Sequence, residues 1–174
     1  MKKLLKVFGV VVGAVVVAAV AFLTYFNFTY PDVEPAPTIT VERTAERLAR
    51  GKYLAHHVTV CIDCHSTRDW TKFSGPVISG TEGKGGEEFP EAIGTLVSPN
   101  ITPAAIAQYT DGELLRAFTV GVTREGRALF PLMPYPMYSK LTEEDAHAIV
   151  AYIKSLSPIE HKVKESMRLS TGSI

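Results

Sequence analysis

The chain opens on a run of 24 residues, Val7 to Tyr30, without a charge and dominated by Val, Ala and Phe. About 20 mostly apolar residues suffice to cross a bilayer as a helix, so the pattern predicts a transmembrane anchor over residues 1–30. Pro31, Pro35 and Pro37 then make residues 31–39 a short, stiff linker. Beyond it the apolar positions recur at helical spacing in three places. Val41, Ala45, Leu48 and Ala55 predict a helix over Thr40–His57, with Gly51 on its apolar stripe and Glu46 paired to Arg50 on the wet side. Thr110-Asp111-Gly112-Glu113 has the form of a capping box and starts a helix over Asp111–Val120. Ala146, Ile149, Val150, Ile153 and Leu156 form the stripe of a last helix over Thr142–Leu156, ended by Pro158. Residues 66–100 hold six glycines and no sustained period. So long a structureless stretch is unusual in a compact domain unless it wraps a large cofactor. No stretch has a convincing strand pattern, and the predicted class is all-α. The polar tail, residues 158–174, is expected to wrap over the domain or fray.

Charge gives the anchor a direction. Lys2, Lys3 and Lys6 precede the apolar run, and Asp32 and Glu34 follow it. Positive residues remain in the cytoplasm, so the N-terminus is expected inside and the bulk of the chain outside. Ala19-Val20-Ala21 offers an alternative reading as the cleavage site of a signal peptide. The apolar run continues past that site, and Tyr25 and Tyr30 sit where interfacial aromatics belong, which favours an anchor. Of 18 basic residues three belong to the cytoplasmic end, leaving the remainder net acidic by three. That charge excludes nucleic acid as a partner.

Two cysteines in an exported domain would ordinarily form a disulfide, but Cys61-Ile62-Asp63-Cys64-His65 is a C-x-x-C-H sequence, a c-type haem attachment site. Two thiols on one helical turn can each add to a vinyl group, and the next residue then directs its imidazole at the iron. A thioredoxin-like pair would need a βαβ context, which is missing. A structural zinc site needs four ligands, and His56 and His57 lie at an unusual spacing from Cys61.

The iron then needs a sixth ligand or an open site. Met133 and Met137 lie in Phe130-Pro-Leu-Met-Pro-Tyr-Pro-Met137, a loop stiffened by three prolines and suited to holding a weak thioether ligand. Met133 is favoured, with Met137 the alternative and packing the competing role for either. Met1 is cytoplasmic and Met167 is in the tail. His56, His57, His147 and His161 are weaker candidates.

These features together resemble the class I monohaem cytochromes c, over roughly residues 40–157. The segments Arg50-Gly-Lys-Tyr-Leu54, Ser98-Pro-Asn-Ile-Thr102 and Leu132-Met-Pro-Tyr135 through Tyr152 are similar to cytochrome domains of bacterial respiratory and dehydrogenase-associated membrane complexes. The resemblance implies a cytochrome c-like haem domain, one covalent haem c, and His65 and Met133 as its iron ligands. It implies a proline carbonyl orienting the His65 imidazole, for which Pro76 is the candidate, a turn at Gly75-Pro76 being the alternative. It implies a helix crossing through Gly51 and Tyr53 with Tyr152, although Gly51 lies further from Cys61 than in the shortest members. Trp70, Asn100, Arg127 and Tyr135 are candidates for bonding the haem propionates or lining the pocket.

The expected function is single-electron transfer on the periplasmic side of the inner membrane, in a respiratory or photosynthetic chain, with no substrate bond made or broken. Methionine and histidine together raise the potential. The expected partners are the lipid bilayer, a membrane-bound electron donor complex, and a terminal oxidase or other acceptor. The chain is expected as a free carrier or as a fixed subunit of a larger oxidoreductase. The alternative is a haem enzyme or gas sensor with five-coordinate iron. A dihaem peroxidase is disfavoured by the single C-x-x-C-H.

Overall fold

The computed structural model describes residues 2–92, 94–164 and 166. The chain divides into two units, one running to Asp32 and a second comprising Val33–Ser170. The first is helix α1, Lys2–Thr29, with no buried residue and a mean hydropathy of 2.7 in its most apolar 18-residue window. At about 1.5 Å per residue it is longer than the ~30 Å hydrocarbon layer, and it is a candidate membrane span.

The second unit is built on the crossing of α2 (Ala45–His57) and α7 (Glu143–Ile153). Gly51 makes the crossing possible, because a Cβ there would lie 1.9 Å from the Ala148 carbonyl oxygen and 2.7 Å from the Tyr152 Cβ. Leu54, Ala55, Ile149, Val150 and Ile153 are buried around it, with Ile62 reaching in from the attachment turn. Tyr53 is outside this contact and packs its ring on His57. At the rim Arg47 holds Glu144 in a two-pronged pair and Arg50 holds Asp145 likewise. Arg50 therefore reaches across to α7 and not back to Glu46, because a carboxylate on the facing helix matches both guanidinium donors.

The helices begin where side chains cap them. Thr44 accepts from the Arg47 amide, so α2 starts at Ala45, five residues later than the apolar spacing predicts. Thr142 caps α7 in the same way. The capping box of α5 (Asp111–Thr119) is complete, with Thr110 N donating to Glu113 at 2.8 Å and Glu113 N to Thr110 at 3.1 Å. Asp111 ties three segments together. It accepts from the Val41 amide at 2.8 Å and from Nζ of Lys154, the C-cap of α7, at 2.6 Å. Partial burial pushes its carboxyl up, but Lys154 and the Val41 amide outweigh that and hold it below the usual range. The linker lies along α5, where Gly112 leaves room for the Pro37 carbonyl.

Two departures from the all-α expectation lie in the glycine-rich stretch. Strands β1 (Glu88–Glu91) and β2 (Gly94–Val97) form an antiparallel hairpin with Glu88 opposite Val97 and Phe89 opposite Leu96. Four-residue strands containing Glu, Pro and Gly carry no long alternation, so the pattern hides them. A lone hairpin is marginal in water, and the tail secures this one. Ser166 bonds both the amide and the carbonyl of Val97, and Lys164 pairs with Glu88. The tail thus wraps as far as Ser166, whereas Met167 lies outside the described residues. Single-turn helices occupy Cys61–Cys64 (α3), Pro103–Ile106 (α4) and Tyr135–Tyr138 (α6).

Candidate haem site

Thr59 and Val60 turn the chain from α2 into α3. Val60 adopts φ +47°, unusual for a β-branched residue and held by its surroundings. Thr59 is buried. Its hydroxyl donates to the Leu54 carbonyl at 3.1 Å and lies 3.1 Å from Cys61 Sγ, while its carbonyl accepts from the Tyr138 hydroxyl. The turn of α3 sends Ile62 into the core at 0 % exposure and leaves Cys61 and Cys64 half-buried and unbridged beside it. Burial pushes the Cys61 thiol up to about 11, despite the Thr59 bond, and raises Cys64 as well. Both are neutral thiols at pH 7.

His65 follows directly. Its Nδ1 lies 2.8 Å from the Pro99 carbonyl oxygen. A carbonyl can only accept, so Nδ1 carries the proton and Nε2 keeps its lone pair for a metal. Burial lowers the pKa of the ring and the Pro99 bond only partly offsets this, so the imidazole is neutral. The His65 carbonyl in turn accepts from Gly85 N at 2.7 Å. Gly85 has φ +75°, and a Cβ on it would lie 2.6 Å from the Pro99 oxygen. Only glycine lets the two chains meet there.

The orienting carbonyl is therefore that of Pro99, 34 residues after His65, and not that of Pro76. Pro76 accepts from the Asp69 amide at the base of a loop and is directed away from this role. Asn100 has other partners in the fold. Its Oδ1 accepts from both the amide and the hydroxyl of Thr102, each at 2.8 Å, and its Nδ2 donates to the Ile159 carbonyl at 2.8 Å. Its amide fastens the segment that carries Pro99 to the tail and is not free for a propionate. Trp70 likewise commits Nε1 to Glu87 at 2.7 Å, beneath the Arg68 guanidinium. Arg127 is exposed on a turn whose backbone pairs with Thr123. Tyr135 packs its half-buried ring over Gly121.

The two methionines part company. Met133 is half-buried, its amide bonded to the Phe130 carbonyl, whereas Met137 is 73 % exposed. The Met133 carbonyl accepts from Tyr135 N as α6 begins. One turn later Tyr138 bonds the Thr59 carbonyl, and burial followed by the two neighbouring thiols raises its pKa. The methionine loop is thereby fastened to the turn that carries the cysteines. His56 is engaged with the Tyr152 hydroxyl at 2.7 Å. Among the described residues no group of three His, Cys, Asp or Glu side chains is gathered for a metal.

The residues fit a haem. Two thiols share one turn, the imidazole is neutral and oriented, and Val60, Phe130 and Leu132 leave apolar surface uncovered. Pro99 and Gly85 carry no signal in the sequence, because the fold alone brings them to His65.

Known proteins agree. The family model described as Cytochrome c matches residues 48–157. The cytochrome c subunit of an alcohol dehydrogenase (quinone) of Gluconacetobacter polyoxogenes is 32% identical over 72% of this chain and 25% of its own length. The gluconate 2-dehydrogenase cytochrome c subunit of Pantoea cypripedii is 34% identical over 67% of this chain and 25% of its own. The fructose dehydrogenase cytochrome subunit of Gluconobacter japonicus is 30% identical over 82% and 29%. This chain thus spans about a quarter of the length of these relatives. All three are cytochrome subunits of dehydrogenases, which does not favour the reading as a haem enzyme or sensor in its own right. With more than half of its residues under the family model and an attachment turn, an oriented histidine and a methionine loop in place, the chain belongs to the cytochrome c family, whose members carry covalently bound haem c.

Proposed function

We propose that this chain is a membrane-anchored, single-haem electron-transfer subunit, with α1 in the inner membrane, its N-terminus in the cytoplasm and the haem domain in the periplasm. The observation that carries the reading is the neutral His65, fixed through Nδ1 to Pro99 directly after two unbridged thiols. Haem attached there supplies a one-electron Fe(II)/Fe(III) couple. Cys61 and Cys64 would hold it covalently, and His65 Nε2 and the Met133 thioether would be the ligands to its iron. The Pro99 carbonyl fixes the tautomer and ring plane of His65 and strengthens it as a donor. Prolines around Met133 restrict the loop that would present its thioether to the iron, and a ligand there would keep small molecules off the metal.

The named relatives belong to alcohol, gluconate and fructose dehydrogenases. We take the donor here to be a membrane-bound dehydrogenase of that kind, or a quinol-oxidising complex, and the acceptor to be a terminal oxidase. The test is a denaturing gel of the full chain stained for haem. Wild type retains one haem per chain and the double variant Cys61→Ala, Cys64→Ala retains none. Protease added to intact spheroplasts should remove the haem domain, and protection of that domain would reverse the orientation.

A further inference from the structure

Residues 67–78 form an arm that starts two residues after His65. Its two sides run antiparallel, Arg68 opposite Val77, with Asp69 N bonded to the Pro76 carbonyl and Ile78 N to Thr67. At the tip Phe73 is 99 % exposed, and nearby Trp70 is 63 % exposed. A single apolar side chain in water needs no explanation. The unusual feature is how firmly this one is presented. Arg68 donates Nε to the Gly75 carbonyl and a terminal nitrogen to that of Ser74, both at 2.6 Å, and lies 4.3 Å over the Trp70 ring. Asp69 accepts from the Thr71 amide and hydroxyl and pairs with Lys72 at 3.0 Å. Ser74 is held at φ +63°, a conformation an L-residue keeps only when its neighbours impose it. The backbone around Phe73 is therefore ordered before any partner arrives, which removes an entropic cost of binding.

We infer that Phe73 is a docking anchor that inserts into an apolar pocket of the protein subunit exchanging electrons with this haem, with Trp70 at the rim of the contact. The inference rests on the electron-transfer reading above. A second protein is the occupant for two reasons. The arm continues directly from the proposed haem site, Phe73 lying eight positions beyond His65, a reach of at most about 27 Å. A lipid surface suits the arm poorly, because Arg68 and Lys72 are both engaged internally and Asp69 and Glu87 bring negative charge beside the aromatics. Buried aromatic anchors of this type carry much of the energy of protein interfaces.

The test uses full-length, haem-loaded protein in membranes of the organism that makes it, solubilised in mild detergent, resolved by native electrophoresis and stained for haem. Wild type should migrate as part of a larger complex. Phe73→Ser should lower the complexed fraction at least tenfold while leaving absorption spectrum and midpoint potential unchanged. Phe73→Leu, which keeps an apolar tip, should retain most of the complex. Phe73→p-benzoylphenylalanine, irradiated in the same membranes, should crosslink to a dehydrogenase or oxidase subunit. Phe73→Ser remaining in the complex like wild type would overturn the anchor and leave the subunit reading intact. Crosslinks to lipid, or to a second copy of this chain, would overturn the choice of partner. Wild-type haem running as the free chain would overturn the subunit reading together with the anchor.

Discussion

Gly85→Ala is the sharpest perturbation of the arrangement around His65. A methyl there would lie 2.6 Å from the Pro99 oxygen and 2.5 Å from its carbon, at φ +75°. Left-handed backbone costs an L-residue roughly 1–2 kcal/mol. Ordinary contact distances require the carbonyl to retreat by about 1 Å. The His65 Nδ1 to Pro99 bond, now 2.8 Å, then passes beyond hydrogen-bonding range. Losing this bond of a partly buried imidazole costs about 0.5–1.5 kcal/mol more. The stability loss is therefore expected at about 1.5–3.5 kcal/mol. The same bond makes His65 a stronger donor, which favours the ferric state, so its loss should raise the midpoint potential. If about 0.5–1 kcal/mol of the bond distinguishes the two oxidation states, the rise is about 20–40 mV for one electron. Spectroelectrochemical titration of full-length protein in detergent, paired with thermal unfolding, measures both quantities. A folded variant that melts lower but keeps the wild-type potential would refute the claim that Pro99 tunes the haem through His65, and a lowered potential would refute its sign.

Asn100→Ala removes the amide that joins Thr102 to Ile159, and should cost about 2–3 kcal/mol, expose the tail to limited proteolysis and raise the potential in the same direction as Gly85→Ala. An unaltered proteolysis pattern would detach the tail from this role. Gly51→Ala forces α2 and α7 apart and should destabilise the domain by about 1–3 kcal/mol or more, read from denaturant midpoints, whereas a neutral result would contradict the close crossing. The folded Asp111 carboxyl lies below its usual pKa, so its stabilisation is complete above the unfolded value of about 4 and is lost as pH falls through the folded one. Denaturant midpoints of Asp111→Asn should accordingly fall less between pH 7 and pH 3 than those of wild type. Equal slopes would remove Asp111 as a source of acid sensitivity.

What the sequence disclosed follows the range of the interactions involved. The attachment turn, the capping box at Thr110–Glu113 and the stripe of α7 rest on residues within a few positions of each other, and local spacing displays them. Gly51 was legible because a missing side chain on an apolar stripe has a direct physical use. The partner of His65 was not legible. Pro76 lies at a familiar separation, yet the glycine-rich segment folds back on Gly85 and brings in Pro99 from 34 residues away. Asn100 and Trp70 look like free polar groups in the sequence, and only the structure shows Ile159 and Glu87 using them. The hairpin escaped because its strands owe their stability to Ser166 and Lys164 of the tail more than to their own composition.

The pairing of His65 with Met133 is the central claim, and absorption of the purified full-length protein tests it most directly. Visible and near-infrared spectra are recorded oxidised and reduced, before and after carbon monoxide, for wild type, Met133→Ala and Met137→Ala. A low-spin haem with a thioether-to-iron band, indifferent to carbon monoxide, is expected, with the band lost in Met133→Ala alone. A high-spin wild-type spectrum that shifts readily with carbon monoxide, or a band that survives in Met133→Ala and disappears in Met137→Ala, would contradict it.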